Sequence, residues 1–511
     1  MALNQLKSGV FLSYIIIALN TIVGLLYTPV MLRLMGQNEY GLYSLVASVI
    51  AYLTILDAGF GNAAIRYTAK YRAENKEEKL PKMYGMFFSL YIIAALIAFV
   101  LGMVLYGNID KLFGQTMGGG ELQKIRIMMV LMLFNLAFTF PMSIWGAIIT
   151  AHERFVFLRV VSIIRIILNP IVMIFMLMQG YGAIGMVVII SLFNIISLFV
   201  NMIFCKKKLN IKIKINFSKT NNIILKEIIV YSFWIFLNAI MDNIYWNTGQ
   251  FVLGIFHGAT VVAVYAVAIQ LQQMYMNFST AISGVFLPRI TAMITKSNNE
   301  NEISNLFIRT GRIQYIVLSF LLSGFFLFGK QFIILWAGKS YIDAYYVTLC
   351  FFICLTVPLI QNIGITILLA RNQMKFRSIL YVCIAVASLG LSIPLADKYG
   401  VFGCAIGNST ALIIGQVLIM NIYYQRKIHL DIIRFWKEIA SMSLVPIILC
   451  FISWAILERL PDISTISGLI LSIVLFSLIY IPCFWKKSMN NYERRLIINP
   501  IKKNFLRKCN D

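Results

Sequence analysis

The sequence predicts an all-α polytopic membrane protein with about 14 transmembrane helices. Three observations predict this fold class. The 511 residues are 60% hydrophobic and only 13% charged, apolar stretches of membrane-spanning length recur along the chain, and basic residues concentrate in alternate loops. A soluble protein of this size could not bury so much apolar surface.

Each apolar stretch is near or above the roughly 20 residues with which a helix crosses a bilayer. The stretches lie at 9–34, 41–68, 83–107, 125–150, 156–179, 182–205, 228–256, 260–288, 306–335, 343–369, 376–396, 401–424, 439–457 and 463–485. The first is longer than the apolar region of a signal peptide and no small-residue cleavage site follows it, so we expect it to be the first transmembrane helix.

The 44 Lys and Arg residues predict the orientation. The great majority lie in loops on the side of the N-terminus, and few lie in the alternate loops. By the positive-inside rule both termini are expected in the cytoplasm. The formal charge of +24 then reflects topology and attraction to membrane lipids, and no nucleic-acid partner is expected.

An internal repeat predicts two halves of similar structure. Four matches fall in corresponding spans and in the same order: Leu19-Asn20 with Leu237-Asn238, Tyr181-Gly182-x-x-Gly185 with Tyr399-Gly400-x-x-Gly403, Pro141 with Pro358, and Tyr43 with Tyr265. Six spans in each half give both halves the same topology, related by an axis along the membrane normal. We therefore expect two pseudo-symmetric six-helix lobes around a central cavity.

The domains follow from the repeat. We predict an N-terminal six-helix lobe at 1–205, a basic cytoplasmic linker at 206–227, a C-terminal six-helix lobe at 228–424, two extra transmembrane helices at 425–485, and a basic cytoplasmic tail at 486–511. The loops are too short to hold a catalytic domain. Neither a Walker A sequence nor HExxH is present, so we predict no enzyme activity, no catalytic residues, no metal and no cofactor.

Amides inside the spans are the first candidates for substrate binding. They are Asn238, Asn247, Gln270, Gln273 and Asn277, of which the last three recur at i, i+3 and i+7 on one face of the eighth span. Such amides can hydrogen-bond between helices. Together, they also fit a hydrated cavity that accepts a hydroxyl-rich ligand such as a sugar.

Arginines in or beside the spans are candidates for an anionic headgroup, because a guanidinium binds phosphate with two parallel hydrogen bonds. Arg33 and Arg66 lie near span ends, where reaching to the interface is the alternative interpretation. Arg165 lies about 13 Å into its span, which that alternative explains less well. Asp57 and Asp242 are either ion-pair partners of these arginines or coupling sites for a proton or cation, and the sequence leaves both open.

The stretch from Met35 to Arg66 carries a family resemblance. It reads Met35-Gly36-x-x-Glu39-Tyr40-Gly41-Leu42-Tyr43, followed by Leu56-Asp57-x-Gly59-Phe60-Gly61-x-Ala63-x-x-Arg66. The chain resembles the polysaccharide biosynthesis flippases, the Wzx-type lipid-linked oligosaccharide translocases. These are part of the multidrug/oligosaccharidyl-lipid/polysaccharide exporter superfamily.

The resemblance implies a flippase of the bacterial plasma membrane. It would move an undecaprenyl-pyrophosphate-linked oligosaccharide from the cytoplasmic to the outer leaflet by alternating access, for O-antigen or capsule assembly. Arg33 and Arg66 are the positions that match the family's cavity cations for pyrophosphate. The implied partners are the lipid-linked substrate, membrane lipids and glycan polymerase or export machinery, and we expect a monomer.

A cation-coupled multidrug exporter of the same superfamily is the alternative function. Asp57 and Asp242 would serve as its carboxylates, whereas the many amides and the Tyr-Gly-Leu-Tyr stretch count against it. The lipid II flippases carry several arginines in the first helix, and this chain has only Arg33 there, which disfavours a peptidoglycan substrate.

Overall fold

The structure is a computed structural model that describes residues 2–57, 59–214, 222–283, 293, 300–371, 373–459, 463–496 and 498. The described residues form helices and connecting turns and contain no strand. The helices are α1 (Ala2–Met35), α2 (Gln37–Thr54), α3 (Phe60–Ala73), α4 (Leu80–Gly107), α5 (Ile109–Phe113), α6 (Gly119–Ala151), α7 (Phe155–Met178), α8 (Gly182–Lys208), α9 (Asn222–His257), α10 (Ala259–Ser283), α11 (Glu300–Trp336), α12 (Asp343–Ile360), α13 (Asn362–Ala370), α14 (Lys375–Leu412), a π-helical turn (Ile413–Ile419), α15 (Met420–Arg426), α16 (Ile432–Leu457) and α17 (Ile466–Lys487).

The helices account for the predicted spans. Among the described residues, 12 stretches are long and apolar enough to cross a bilayer. One of them, Lys375–Arg426, covers two predicted spans, which meet at Gly400, where φ is 56°. Helix α9 is not among the 12, but it runs through the predicted span 228–256 with 36 residues. The predicted all-α polytopic membrane fold is confirmed, with a helix count close to the expected one.

Two predicted spans differ from the expected continuous helices. The span at 41–68 is divided between α2 and α3 by a short 3-10 turn, Ile55–Asp57, and by Gly59 in the left-handed region at φ 68°. The span at 343–369 is divided between α12 and α13 at Gln361. Pro358 lies three residues before that break. Because proline has no backbone N–H, it removes a helical hydrogen bond and weakens the helix there. Pro141, its predicted counterpart, lies inside the continuous helix α6.

The chain divides into two compact units. The first comprises Met1–Ala266 and Ala385–Gly407, and the second comprises Val267–Ile384 and Asn408–Asp511. The predicted lobes at 1–205 and 228–424 stay a prediction.

The first unit is built around α6, which packs against α2, α3, α4 and α8, while α7 packs against α1 and α8. Its interior includes the buried side chains of Leu42, Phe87, Met128 and Ile148. The outward faces carry large exposed apolar side chains such as Leu96 and Phe175. An apolar exterior over a packed interior is what a helix bundle needs in lipid.

Helix α2 makes a very close approach at the start of α10. A Cβ atom added at Gly41 would lie 1.8 Å from the carbonyl oxygen of Ala259. The Gln37 side chain donates to the Thr260 carbonyl at 3.2 Å, and Tyr52 bonds Thr248 on α9. Gly41, a residue of the family-like motif, is therefore required by packing in this arrangement.

The second unit is built around α11, which packs against α12, α16 and α17. Phe307 and Leu318 on α11 and Phe435 on α16 are fully buried. A Cβ atom at Gly311 would lie 2.5 Å from the Phe435 ring, so the absence of a side chain allows α11 and α16 to pack closely.

Candidate functional site

The predicted polar stripe on α10 is present, and the structure divides the helix into two faces. Gln273 is exposed and its amide donates to Asn277 Oδ1 at 3.3 Å, while Gln270 and Asn277 are half-buried. The other face carries Tyr275 and Ser279, which are buried in the second unit. The stripe therefore lies on the side of α10 that faces away from the interior of this unit.

Sequence reasoning missed the buried amides of the second unit. Gln272 is 1% exposed, and Gln314 on α11 donates to the Ser279 hydroxyl at 3.0 Å. Gln361, at the break between α12 and α13, is also buried, and its amide donates to Asn421 Oδ1 at 2.8 Å. Gln314 and Gln361 connect helices, as the packing interpretation expects, whereas the Gln272 amide lies 3.9 Å from the sulfur of Met276 on its own helix. Sequence spacing does not show which amides are buried and which, like Gln273, are exposed, because both faces of a helix recur within one turn.

On α9, Asn247 is half-buried and donates to Asn243 Oδ1 at 2.9 Å. The two residues are four apart and therefore lie on the same face of α9. Neighbouring Tyr245 is buried and meets the Trp246 ring edge to face at 4.5 Å. The side chains of Asn238 and Asp242 lie outside the described residues, so their assignments stay predictions.

Arg165 lies on α7 beside a row of amides. Its Nη1 is 3.5 Å from Asn194 Oδ1 on α8, and Asn194 Nδ2 in turn donates to Asn135 Oδ1 at 3.0 Å and to Thr139 Oγ1 at 2.7 Å on α6. Arg165 is half-buried, and the long bond to Asn194 occupies one of its five N–H groups. Helices α6, α7 and α8 therefore place a cation next to neutral polar groups, a setting suited to an incoming anion.

Arg33 and Arg66 are exposed at separate places along the first spans. Arg33 lies in the last turn of α1 and Arg66 lies on α3, with all of α2 between them. At 1.5 Å per residue α2 alone is about 27 Å long. The two arginines, predicted as headgroup ligands, therefore cannot bind one phosphate at the same time.

Asp57 lies in the break between α2 and α3. It is partly buried, and the Tyr91 hydroxyl of α4 lies nearby. Among the residues that the structure describes, no Lys or Arg forms an ion pair with Asp57. Both alternatives for this carboxylate, an ion-pair partner and a coupling site, stay predictions.

Glu39 explains part of the family-like motif, a role that sequence reasoning missed. Its carboxylate accepts the Ala183 backbone N–H at 2.9 Å at the start of α8 and forms an ion pair with Lys124 of α6. Next to it, Asn38 donates to Glu121 Oε1 at 2.6 Å. A carboxylate is favourable at a helix N-terminus, where backbone N–H groups lack partners. The motif thus joins the ends of α2, α6 and α8.

The first glycine of the repeated Tyr-Gly-x-x-Gly sequence has a positive φ in both copies. Gly182 has φ 53° and Gly400 has φ 56°. A polar side chain lies beside each: Glu39 at Gly182, and His257 at Gly400, whose Nε2 is 2.6 Å from the Ala396 carbonyl. Both glycines are required because positive φ is strained for other residues.

A family model described as polysaccharide biosynthesis protein matches residues 6–294, more than half of the chain. The chain belongs to this family. The resemblance predicted from the Met35–Arg66 stretch is thereby confirmed.

Two relatives extend the family match over most of the chain. A putative O-antigen transporter of Shigella flexneri is 20% identical over 414 residues, which cover 80% of this chain and 94% of the relative. An uncharacterized membrane protein, EpsK, of Bacillus subtilis is 19% identical over 488 residues, with 93% and 94% coverage.

Solved structures show the same fold. The lipid II flippase MurJ in an inward closed conformation superimposes with a TM-score of 0.69 at 19% identity, covering 93% of this chain and 98% of MurJ. An inward-facing multidrug resistance MATE family transporter gives a TM-score of 0.59 at 15% identity, with 78% and 93% coverage. The chain therefore shares its fold with these solved membrane transport proteins.

Proposed function

We propose that this polysaccharide biosynthesis family member is a flippase. It moves an undecaprenyl-pyrophosphate-linked oligosaccharide from the cytoplasmic to the outer leaflet of the bacterial plasma membrane by alternating access. The lipid-linked oligosaccharide delivered to the outer leaflet then supplies O-antigen or capsule assembly. The orientation follows the distribution of basic residues, with both termini in the cytoplasm.

The polar face of α10 carries the proposal. Gln273 is exposed and Asn277 is half-buried on a helix of membrane-spanning length. Amides that faced hydrocarbon would lose their hydrogen bonds to water at a cost of several kcal/mol each. This supports a hydrated cavity beside α10, and carboxamides there can bind the hydroxyl groups of a sugar chain.

The arginines divide the contact with the pyrophosphate into stages. Arg33 and Arg66 are separated along the helices by α2, about 27 Å long, so each meets the headgroup in a different step. Arg165, for which the described residues show one long bond to Asn194, is a third position for the headgroup. Such a series of sites suits a substrate that must cross rather than remain bound.

The test is genetic and chemical. The gene is deleted in its host, and surface glycan and lipid-linked intermediates are measured after complementation with Gln273→Leu/Asn277→Leu. We expect the deletion to abolish the glycan and to cause lipid-linked intermediates to accumulate. The double variant should restore less than about a tenth of the glycan, and a tenfold lower transport rate corresponds to roughly 1.4 kcal/mol of activation free energy. The control is Gln373→Leu, an exposed amide outside the helices, which should restore it fully. Intact glycan in the deletion strain would refute the proposal.

A second candidate, a cation-coupled multidrug exporter, is favoured by Asp57, for which the described residues show no ion pair. Asp57→Asn should then change susceptibility to small cationic drugs while surface glycan stays normal. Reduced glycan with unchanged drug susceptibility would instead place Asp57 in the coupling of the flippase.

A further inference from the structure

A buried ionic cluster lies in the second unit and includes none of the candidate transport residues. Arg312 of α11 is 5% exposed. Its Nε and Nη2 donate to the two carboxylate oxygens of Glu493 at 2.5 and 3.0 Å, and its Nη1 donates to Glu438 of α16 at 2.7 Å. Nη2 also donates to the Ser488 carbonyl at 3.1 Å. All three nitrogens of the guanidinium therefore have partners.

Glu493 belongs to a short helix at 491–496 that follows α17. Glu493 is 2% exposed, and its carboxylate also accepts the Asn490 N–H at 2.9 Å. In return the Asn490 side chain accepts the Glu493 N–H at 2.9 Å. This reciprocal pair is a capping box, so the local sequence positions the carboxylate before it meets Arg312.

Further contacts attach the same segment to three helices. The Arg309 guanidinium of α11 lies 4.9 Å from the centre of the Tyr492 ring. Arg494 Nε donates to the Trp485 carbonyl of α17 at 3.1 Å, and the Ser488 hydroxyl donates to the Met442 carbonyl of α16 at 3.3 Å. Residues 488–496, which we call the C-terminal clasp, thus bond to α11, α16 and α17.

A buried guanidinium without a carboxylate is strongly unfavourable, because removing one partner leaves an uncompensated charge. Glu438 is only partly buried, so the clasp supplies the carboxylate that is fully removed from water. The buried ionic link between α11 and α16 therefore includes residues that follow α17.

We infer that the C-terminal clasp joins α11, α16 and α17 into one rigid body, so that the two extra helices move with α11 in any conformational change. Direct bonds from α11 to these helices, Tyr315 to Ser443 at 2.6 Å and Ser319 to Tyr480 at 3.0 Å, lie apart from the clasp, which adds the buried ionic link. This coupling does not depend on the identity of the substrate, and it is independent of the proposed transport function.

Hydrogen exchange of the full-length protein in detergent micelles tests the inference. Glu493→Gln keeps the shape of the side chain and removes its charge. We expect amide exchange to rise about tenfold or more in 488–496 and in the first turns of α16. The matched control is Glu302→Gln, an exposed carboxylate of α11, which should leave both segments protected.

A second variant keeps the test decisive if Glu493→Gln does not fold. Arg312→Met/Glu493→Met removes both buried charges, and Glu438 can turn towards water. Protection of α16 should return to within about threefold of the wild type in the double variant, since paired apolar replacements are tolerated where single ones are not. Rapid exchange of 488–496 in the wild type, or equal exchange in Glu493→Gln and Glu302→Gln, would overturn the inference.

Discussion

Arg165 of the first unit and Arg312 of the second both lie within long helices, but their surroundings are opposite. Arg165 is half-buried and has one long bond, at 3.5 Å, to a neutral amide. Arg312 is buried and makes four hydrogen bonds, three of them to carboxylates. Among the described residues the first guanidinium makes a single weak contact, whereas the second holds helices together through all three of its nitrogens.

This difference shows how a charged residue in a membrane helix can be assigned a structural or a binding role. Buried polar groups are costly unless their donors have partners, so a fully bonded arginine is structural and an incompletely bonded one is a candidate for binding. Substitutions at the two positions should therefore separate stability from transport.

The largest expected effect is on stability at Arg312. Arg312→Ala leaves Glu493 buried without a cation, and we expect the free energy of unfolding to fall by about 3–5 kcal/mol. Thermal unfolding in detergent measures this. Arg434→Ala is the control, because Arg434 is exposed and bonds Asn305. If both variants unfold at the same temperature, the Arg312 cluster does not stabilise the fold.

Arg165 should show the reverse behaviour. Arg165→Ala removes one weak contact, so the free energy of unfolding should change by only about 0.6 kcal/mol. Surface glycan in the complemented deletion strain should fall at least about tenfold, since a cation is lost from the proposed path. Arg159→Ala, an exposed arginine on the same helix, should retain both properties. Full glycan with Arg165→Ala would remove this residue from the site.

Glu39 lies between these extremes. Glu39→Gln loses the ion pair with Lys124, but the amide oxygen can still accept the Ala183 N–H. Because both side chains are partly exposed, we expect a loss of about 1 kcal/mol in unfolding free energy. Glu39→Ala should lose more, because Ala183 N–H then lacks its partner. Equal losses in the two variants would mean that the helix-capping bond contributes nothing.

The smallest effect is expected at the exposed pair of Glu74 and Lys76. The hydrogen bond from Lys76 lowers the pKa of Glu74, so any stabilisation is present above the ordinary carboxyl pKa and is lost as pH falls through the lowered value. Both side chains are in water, and Lys76→Ala should leave the thermal unfolding temperature unchanged at neutral pH. A clear shift in that temperature would show that exposed pairs matter more here than solvent screening allows.

The sequence predicted the fold because membrane helices are dominated by one local property. Apolar length and loop charge depend on neighbouring residues only, and the observed helices follow the predicted spans. The two breaks, at Gly59 and at Gln361, were missed because hydropathy averages over them. The presence of Gly59 in the sequence does not by itself indicate that its φ is positive.

The site was less predictable because its members depend on contacts between distant segments. Gln273 and Gln272 are neighbours of the same type, and only packing makes one exposed and the other buried. Arg312 and Glu493 are far apart in the sequence, so no spacing rule could pair them. The depth of Arg165 in its span indicates a binding role, whereas nothing in the motif around Glu39 indicates its bond to the distant Ala183.

The close approach at Gly41 offers a mechanical consequence. A single methyl group there would collide with the Ala259 carbonyl and act as a wedge between α2 and the start of α10. Gly41→Ala is thus the smallest substitution that separates the two helices at this contact. A series of larger side chains at the same position would increase the distance between α2 and α10 step by step.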